Sequence, residues 1–179
     1  MELSEAIALI QNDHLPPSGP GIWADLGCGS GMFTFALAHL LKPGSTIHAV
    51  DRDPVVLKPL PNPNGIAIHT LQLDFVADTL PLPPLDGILM ANSLHFVSDK
   101  KALLNKLTAR LKPGGCFLIV EYDTDRPVQL WVPYPISFKS LQPLFFSHGL
   151  TSVQKLGERT SAYGRANMYA ALIGMRSEG

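Results

Sequence analysis

Asp25-Leu26-Gly27-Cys28-Gly29-Ser30-Gly31 sets three alternating glycines between an apolar run, residues 21–26, and a segment of helical apolar spacing, residues 31–42. A strand that turns through glycines into a helix is the opening unit of an open α/β sheet. The turn must bend sharply, and bare backbone there lets a ligand come close. The helical segment carries Phe33, Phe35, Ala36, Leu37, Leu40 and Leu41, and Pro43-Gly44 stops it.

Outward from this unit, strands and helices alternate. Residues 45–50, 66–73, 86–91 and 116–122 read as four further strands. Asp53-Pro54 predicts a short helix, a cap followed by the position that tolerates proline, which Pro59, Pro61 and Pro63 curtail. Ser98 is the predicted cap of a helix with Leu103, Leu104, Leu107 and Leu111 on one side, ended by Lys112-Pro113-Gly114-Gly115. The run Phe117-Leu118-Ile119-Val120 does not alternate, as expected of a strand covered on both faces of a parallel sheet.

Residues 138–148 predict a helix closed by Gly149; Pro143 either kinks it or lies in the first turn of a helix starting near Ser140. Residues 150–156 and 167–175, joined only by 157–164, predict an antiparallel hairpin. At the start, Leu3, Ile7 and Ile10 share a helical face, and Pro16, Pro17, Gly19, Pro20 and Gly21 set that helix apart as an appendage. The expected fold is α/β: a doubly wound, mostly parallel seven-stranded sheet with a terminal antiparallel hairpin and helices on both faces.

Composition narrows the class. The chain has 179 residues, 46% of them hydrophobic and 16% charged, which excludes extensive disorder. With Lys+Arg 14 against Asp+Glu 15, the net charge is −1, and no nucleic-acid partner is expected. Cys28 and Cys116 are far apart, form no CxxC pair and suit a reducing compartment, so a cytoplasmic location is expected. The histidines have no metal-ligand spacing, so no metal is expected. Residues 1–12 carry Glu2, Glu5 and only a short apolar run, unlike a secretory leader, and apolar runs elsewhere fall short of a membrane span.

The ligand expected at the glycine turn follows from charge. From Gly27 the spacing is G-x-G-x-G, with Met32 where a dinucleotide fingerprint has its third glycine. Asp25, Asp51 and Asp74 lie at or just beyond the first three strand ends. Asp51 stands where a carboxylate grips ribose hydroxyls. Asp25 and Asp74 would repel a pyrophosphate and attract a sulfonium cofactor bearing an ammonium group. The pattern favours S-adenosylmethionine over NAD.

The chain here resembles the class I S-adenosylmethionine-dependent methyltransferases over roughly residues 21–175. The resemblance rests on the glycine turn, Val50-Asp51-Arg52-Asp53, Leu73-Asp74-Phe75, residues 86–97, and residues 111–115 before the fifth strand. It implies that Gly27, Cys28, Gly29 and Gly31 pass along the methionine part of the cofactor, with Asp25 near its amino group. It implies Asp51 on the ribose, Arg52 against the adenine, Asp74 on the adenine amino group with the Phe75 amide nearby, and Asn92 and Ser93 bordering the methyl. Alternatives stay open: Asp74 as a loop cap, Arg52 as a solvated charge. One domain over 1–179 is expected, with a helix and linker in 1–20, a cofactor-binding half in 21–123 and an acceptor-side half in 124–179.

On this reading the product is S-adenosylhomocysteine, and placement supplies most of the protein's contribution. His95, after the fourth strand, is the candidate base, with local packing as the other reading. Tyr122, Trp131 and Tyr134 are candidate acceptor contacts; Asp123 could also face the acceptor, while Phe138, Leu141 and Phe145 share a face that packs the last helix. There is no proline pair after Asn92, unlike relatives that methylate nucleic-acid bases. The expected acceptor is a small apolar or aromatic molecule. The crevice is either open or covered by a second copy or a partner subunit. The rival readings are a non-catalytic cofactor-binding regulatory or scaffold subunit, a protein methyltransferase and, more weakly, an NAD-dependent oxidoreductase.

Overall fold

The computed structural model describes residues 1–12, 19–128, 130–160 and 166–174. Its elements run α1 (Leu3–Ile10), β1 (Ile22–Leu26), α2 (Met32–Leu40), β2 (Thr46–Asp51), β3 (Ala67–Gln72), β4 (Leu85–Ala91), α3 (Lys100–Thr108), β5 (Leu111–Tyr122), α4 (Phe138–Phe146), β6 (Ser152–Thr160) and β7 (Asn167–Gly174). The seven strands form one sheet in the order β3-β2-β1-β4-β5-β7-β6. β1 to β5 are parallel, and β7 runs antiparallel to both β5 and β6. The order reverses between β1 and β4, so the carboxyl ends of these two strands open a crevice there.

Two apolar layers explain why the strand runs do not alternate. On one face Leu26, Ile88, Phe117 and Ile119 pack against Leu103, Leu104 and Leu107 of α3 and Leu141 and Phe145 of α4. On the other, Trp23, Ile47, Leu89 and Leu118 pack against α1 and α2. Successive strand residues are thus buried on opposite sides.

Several expectations need correction. α1 is part of the core: Ala6, Leu9 and Ile10 are its buried residues, and Leu3 and Ile7 only its partly buried flank. No helix follows Asp53. Before Pro59 only a turn's length of chain is available, too short to repay helix nucleation. The cap of α3 is Asp99, whose side chain accepts from the Ala102 amide at 2.9 Å, rather than Ser98. β5 starts at Leu111, which pairs with Leu85; the register then shifts so that Cys116 pairs with Gly87 and residues 112–115 bulge. α4 starts at Phe138 under a Ser137 cap, with Pro143 inside it, and Gly149 (φ +79°) closes the turn after it. The hairpin of β6 and β7 forms as expected, with β6 running from Ser152 to Thr160. Pro16 and Pro17 of the linker, residues 161–164 of the hairpin connection and residue 175 lie outside the described residues.

Candidate active site

The glycine turn is anchored to β2. The Gly27 and Cys28 amides both donate to the Val50 carbonyl, at 2.8 and 3.0 Å. Gly27 has φ +82°, and a Cβ there would stand 2.4 Å from the Ser93 Cβ, so only glycine fits between the two strand ends. Gly29 differs: a Cβ would meet nothing within 4 Å, so its backbone faces open space. Gly31, at φ +90°, begins α2 beneath Leu57 of the segment after β2. That segment drapes over the turn, with the Lys58 amide donating to the Ser30 carbonyl at 3.0 Å.

The predicted carboxylates serve different ends. Asp25 is buried on β1; its Oδ2 accepts from the Thr34 hydroxyl at 2.6 Å, and its Oδ1 has no hydrogen-bond partner among the described residues. Burial pushes its carboxyl up to about 7, the Thr34 hydrogen bond opposes, and the Asp51 charge adds to the rise. Asp51, at the end of β2, accepts from the Gly29 amide at 2.8 Å and the Asp53 amide at 3.0 Å. Asp74 Oδ1 accepts from the Val76 and Ala77 amides, which is the loop-cap arrangement. Phe75 is buried against the turn, its ring edge 3.6 Å from where a Gly27 Cβ would stand. The Arg52 side chain is 76% exposed, with Asp53 at 3.9 Å its one ion-pair partner among the described residues. Burial, then the charges of Asp25 and Asp51, push the Cys28 thiol up to about 12, so it stays neutral.

A buried acceptor without a donor is costly. Asp25 Oδ1 is such an acceptor, on the strand that ends at the glycine turn. An ammonium group would supply the missing donor, and a pyrophosphate would not. The residues present therefore fit S-adenosylmethionine.

The crevice continues past β4. Asn92 takes a left-handed conformation (φ +54°), its amide donating to Val120 at 2.8 Å, and its buried Oδ1 has no partner among the described residues. The Ser93 hydroxyl donates to the Leu26 carbonyl at 2.6 Å, locking the end of β4 to that of β1. A cavity of about 810 Å³ opens beside Asn92, its lining including His95, Phe96, Tyr122, Arg126 and Trp131. Tyr134 lies apart from this lining: its amide donates to the His95 carbonyl at 2.9 Å, and its own carbonyl accepts from Lys100 Nζ at 2.6 Å. Asp123 is not in this lining; one oxygen accepts from the Phe138 amide at the start of α4 and the other lies 3.4 Å from Lys155 Nζ.

The sequence reading missed Glu121. It is fully buried, and His95 Nδ1 lies 2.6 Å from its Oε2. The available signal was one carboxylate at the end of an apolar strand covered on both faces.

A glycine turn at the switch point of a sheet in this order, with acidic strand ends around it, defines a nucleoside-cofactor-binding α/β fold. The methyltransferase domain family model matches residues 24–117, and the chain belongs to that family. It is 31% identical over 123 residues to a ubiquinone/menaquinone biosynthesis C-methyltransferase, UbiE, of Shewanella frigidimarina; the match covers 65% of this chain and 49% of that protein. The chain thus spans about half the length of the curated relatives it matches. The fold is shared with the 1,6-didemethyltoxoflavin-N1-methyltransferase of Burkholderia thailandensis (TM-score 0.68, 19% identity, 97% of this chain and 78% of that one). It is shared also with a methyltransferase of Aquifex aeolicus (TM-score 0.61, 14% identity, 98% and 100%). Among the described residues no group of three or more potential metal ligands forms, and no helix is long and apolar enough to cross a membrane.

Proposed function

We propose that this chain transfers a methyl group from S-adenosylmethionine to a small apolar or aromatic acceptor held in the cavity beside Asn92 and His95. The observation that carries the reading is the unpartnered, buried Asp25 Oδ1 on the strand that leads into the glycine turn, where the Gly29 backbone is open. When bound, the cofactor supplies a methyl already activated by its sulfonium. Asp25 takes the amino group; Gly27, Cys28, Gly29 and Gly31 line the methionine part. Asp51 holds the ribose. Arg52, Asp74 and Phe75 border the adenine. Asn92 and Ser93 lie towards the methyl. The cavity has aromatic walls in Phe96, Tyr122 and Trp131, with Asn92, Thr124 and Arg126 among its polar groups, as suits a small ring bearing a polar substituent. Tyr122 and Trp131 contact the acceptor, whereas Tyr134 acts through the backbone of His95.

The relatives' role in ubiquinone and menaquinone biosynthesis accords with an apolar acceptor. The buried free cysteines accord with a cytoplasmic location. Formation of S-adenosylhomocysteine with a library of small aromatic acceptors tests the proposal. Cofactor binding without product from any acceptor supports the regulatory-subunit reading instead.

A further inference from the structure

Glu121 has 0% exposure, and its carboxylate takes two hydrogen bonds from one residue. His95 Nδ1 lies 2.6 Å from Oε2, and the His95 backbone N–H donates to Oε1 at 3.0 Å. A carboxylate is expensive to bury unless it is paired. Next to Ile119 and Val120 on β5, an apolar side chain would fill the place at lower cost. The other groups that sense this charge are engaged elsewhere: Lys100 donates to the Val97 and Tyr134 carbonyls, and the Tyr169 hydroxyl to the Ile136 carbonyl. Among the described residues, the hydrogen bonds of this carboxylate go to His95, one to its ring and one to its backbone.

In the neutral imidazole a carboxylate on Nδ1 holds the ring proton there, which leaves the Nε2 lone pair free. His95 lines the cavity, its ring centroid 4.3 Å from that of Phe96 and 6.0 Å from that of Tyr122. A proton-accepting nitrogen thus stands among aromatic faces at an acceptor-sized cavity.

We propose that His95 is a general base positioned by Glu121, and that the acceptor is an aromatic molecule bearing an ionisable hydroxyl. This rests on the reading of the cavity as the acceptor site. The hydroxyl proton passes to His95 Nε2, the O–H bonding pair stays on the acceptor oxygen, and Glu121 balances the imidazolium that forms. A neutral amine already has a lone pair for attack and gains little from such a base; a neutral phenol is a poor nucleophile and gains much. Aromatic walls select a flat ring. Glu121 touches neither acceptor nor cofactor and is a positioning residue.

The probe is 4-nitrophenol, whose anion alone is yellow. Mixed with the full chain just below its ionisation midpoint, it should shift towards the anion on binding, by about tenfold in its ionisation equilibrium, as a positioned charged partner produces. Glu121→Gln should bind the phenol but lose most of the shift, since a carboxamide neither fixes the tautomer nor balances the imidazolium. His95→Gln should lose it wholly. If Glu121→Gln fails to fold, the wild-type colour change and His95→Gln decide. Binding without a colour change overturns the proposal, as does a full shift in His95→Gln. Absence of phenol binding by a chain that takes up S-adenosylhomocysteine also overturns it. A chain that takes up neither overturns the methyltransferase reading as well.

Discussion

Replacing Asp25 with asparagine should raise stability and lower cofactor affinity at once. Burial holds the Asp25 carboxyl up at about 7, against an ordinary value of 3.8 in the unfolded chain. Between these values the folded state keeps a proton that the unfolded state has released. Stability therefore falls as pH rises through the interval, and the loss is complete above about pH 7. At ~1.4 kcal/mol per pH unit, an interval of about three pH units amounts to about 4 kcal/mol. Asp25→Asn keeps the shape, cannot ionise and removes this slope. Near pH 8 the variant should be more stable by up to about 4 kcal/mol, or about 8–16 °C in Tm for a chain of this size. Near pH 4 the two proteins should differ by less than about 1 kcal/mol. Urea unfolding across this pH range measures both figures. Loss of the charged partner should weaken S-adenosylmethionine binding by about 1.5–3 kcal/mol in calorimetry. Parallel pH slopes in the two proteins, or a variant less stable at every pH, would refute the reasoning.

Two glycine substitutions separate packing from ligand contact. Gly27→Ala adds left-handed strain to a 2.4 Å clash with Ser93 and should cost about 2–5 kcal/mol of stability in urea. Gly29→Ala meets no protein atom within 4 Å; it should cost only about 1 kcal/mol while lowering cofactor affinity, and equal stability losses at both positions would contradict this. Asp51→Ala frees the Gly29 and Asp53 amides and should weaken cofactor binding by ~1–3 kcal/mol; unchanged affinity means that the ribose lies elsewhere. Trp131, 75% exposed, should be replaceable by alanine within about 0.5 kcal/mol of stability. The same change should weaken binding of an aromatic acceptor by ~0.5–1.5 kcal/mol, so an unaltered acceptor KM removes Trp131 from the site.

The sheet was legible because its strands are covered on both faces, so residues 116–122 carry an unbroken apolar run, and because Gly27, Gly29 and Gly31 punctuate the first turn. What failed was local chemistry that tertiary context overrides. Asp53-Pro54 has the form of a helix start, yet the prolines after it leave too little chain, and Leu57 instead packs over Gly31. Ser98 and Asp99 are both good caps, and hydrogen-bond geometry alone chooses Asp99. The face of α1 was misjudged by about one residue, since its partners, α2 and β6, are distant in sequence. In the site, Asp25 and Asp51 could be named from spacing, but not that one is buried and half-satisfied while the other braces the turn. Glu121 escaped notice because its meaning depends on His95, 26 residues away on another element.

Titration of the chain with S-adenosylhomocysteine in a calorimeter tests the central claim most directly. The account predicts saturable one-to-one binding that Asp25→Asn and Asp51→Ala both weaken. No heat of binding at millimolar ligand, or tighter binding of NAD, would contradict it.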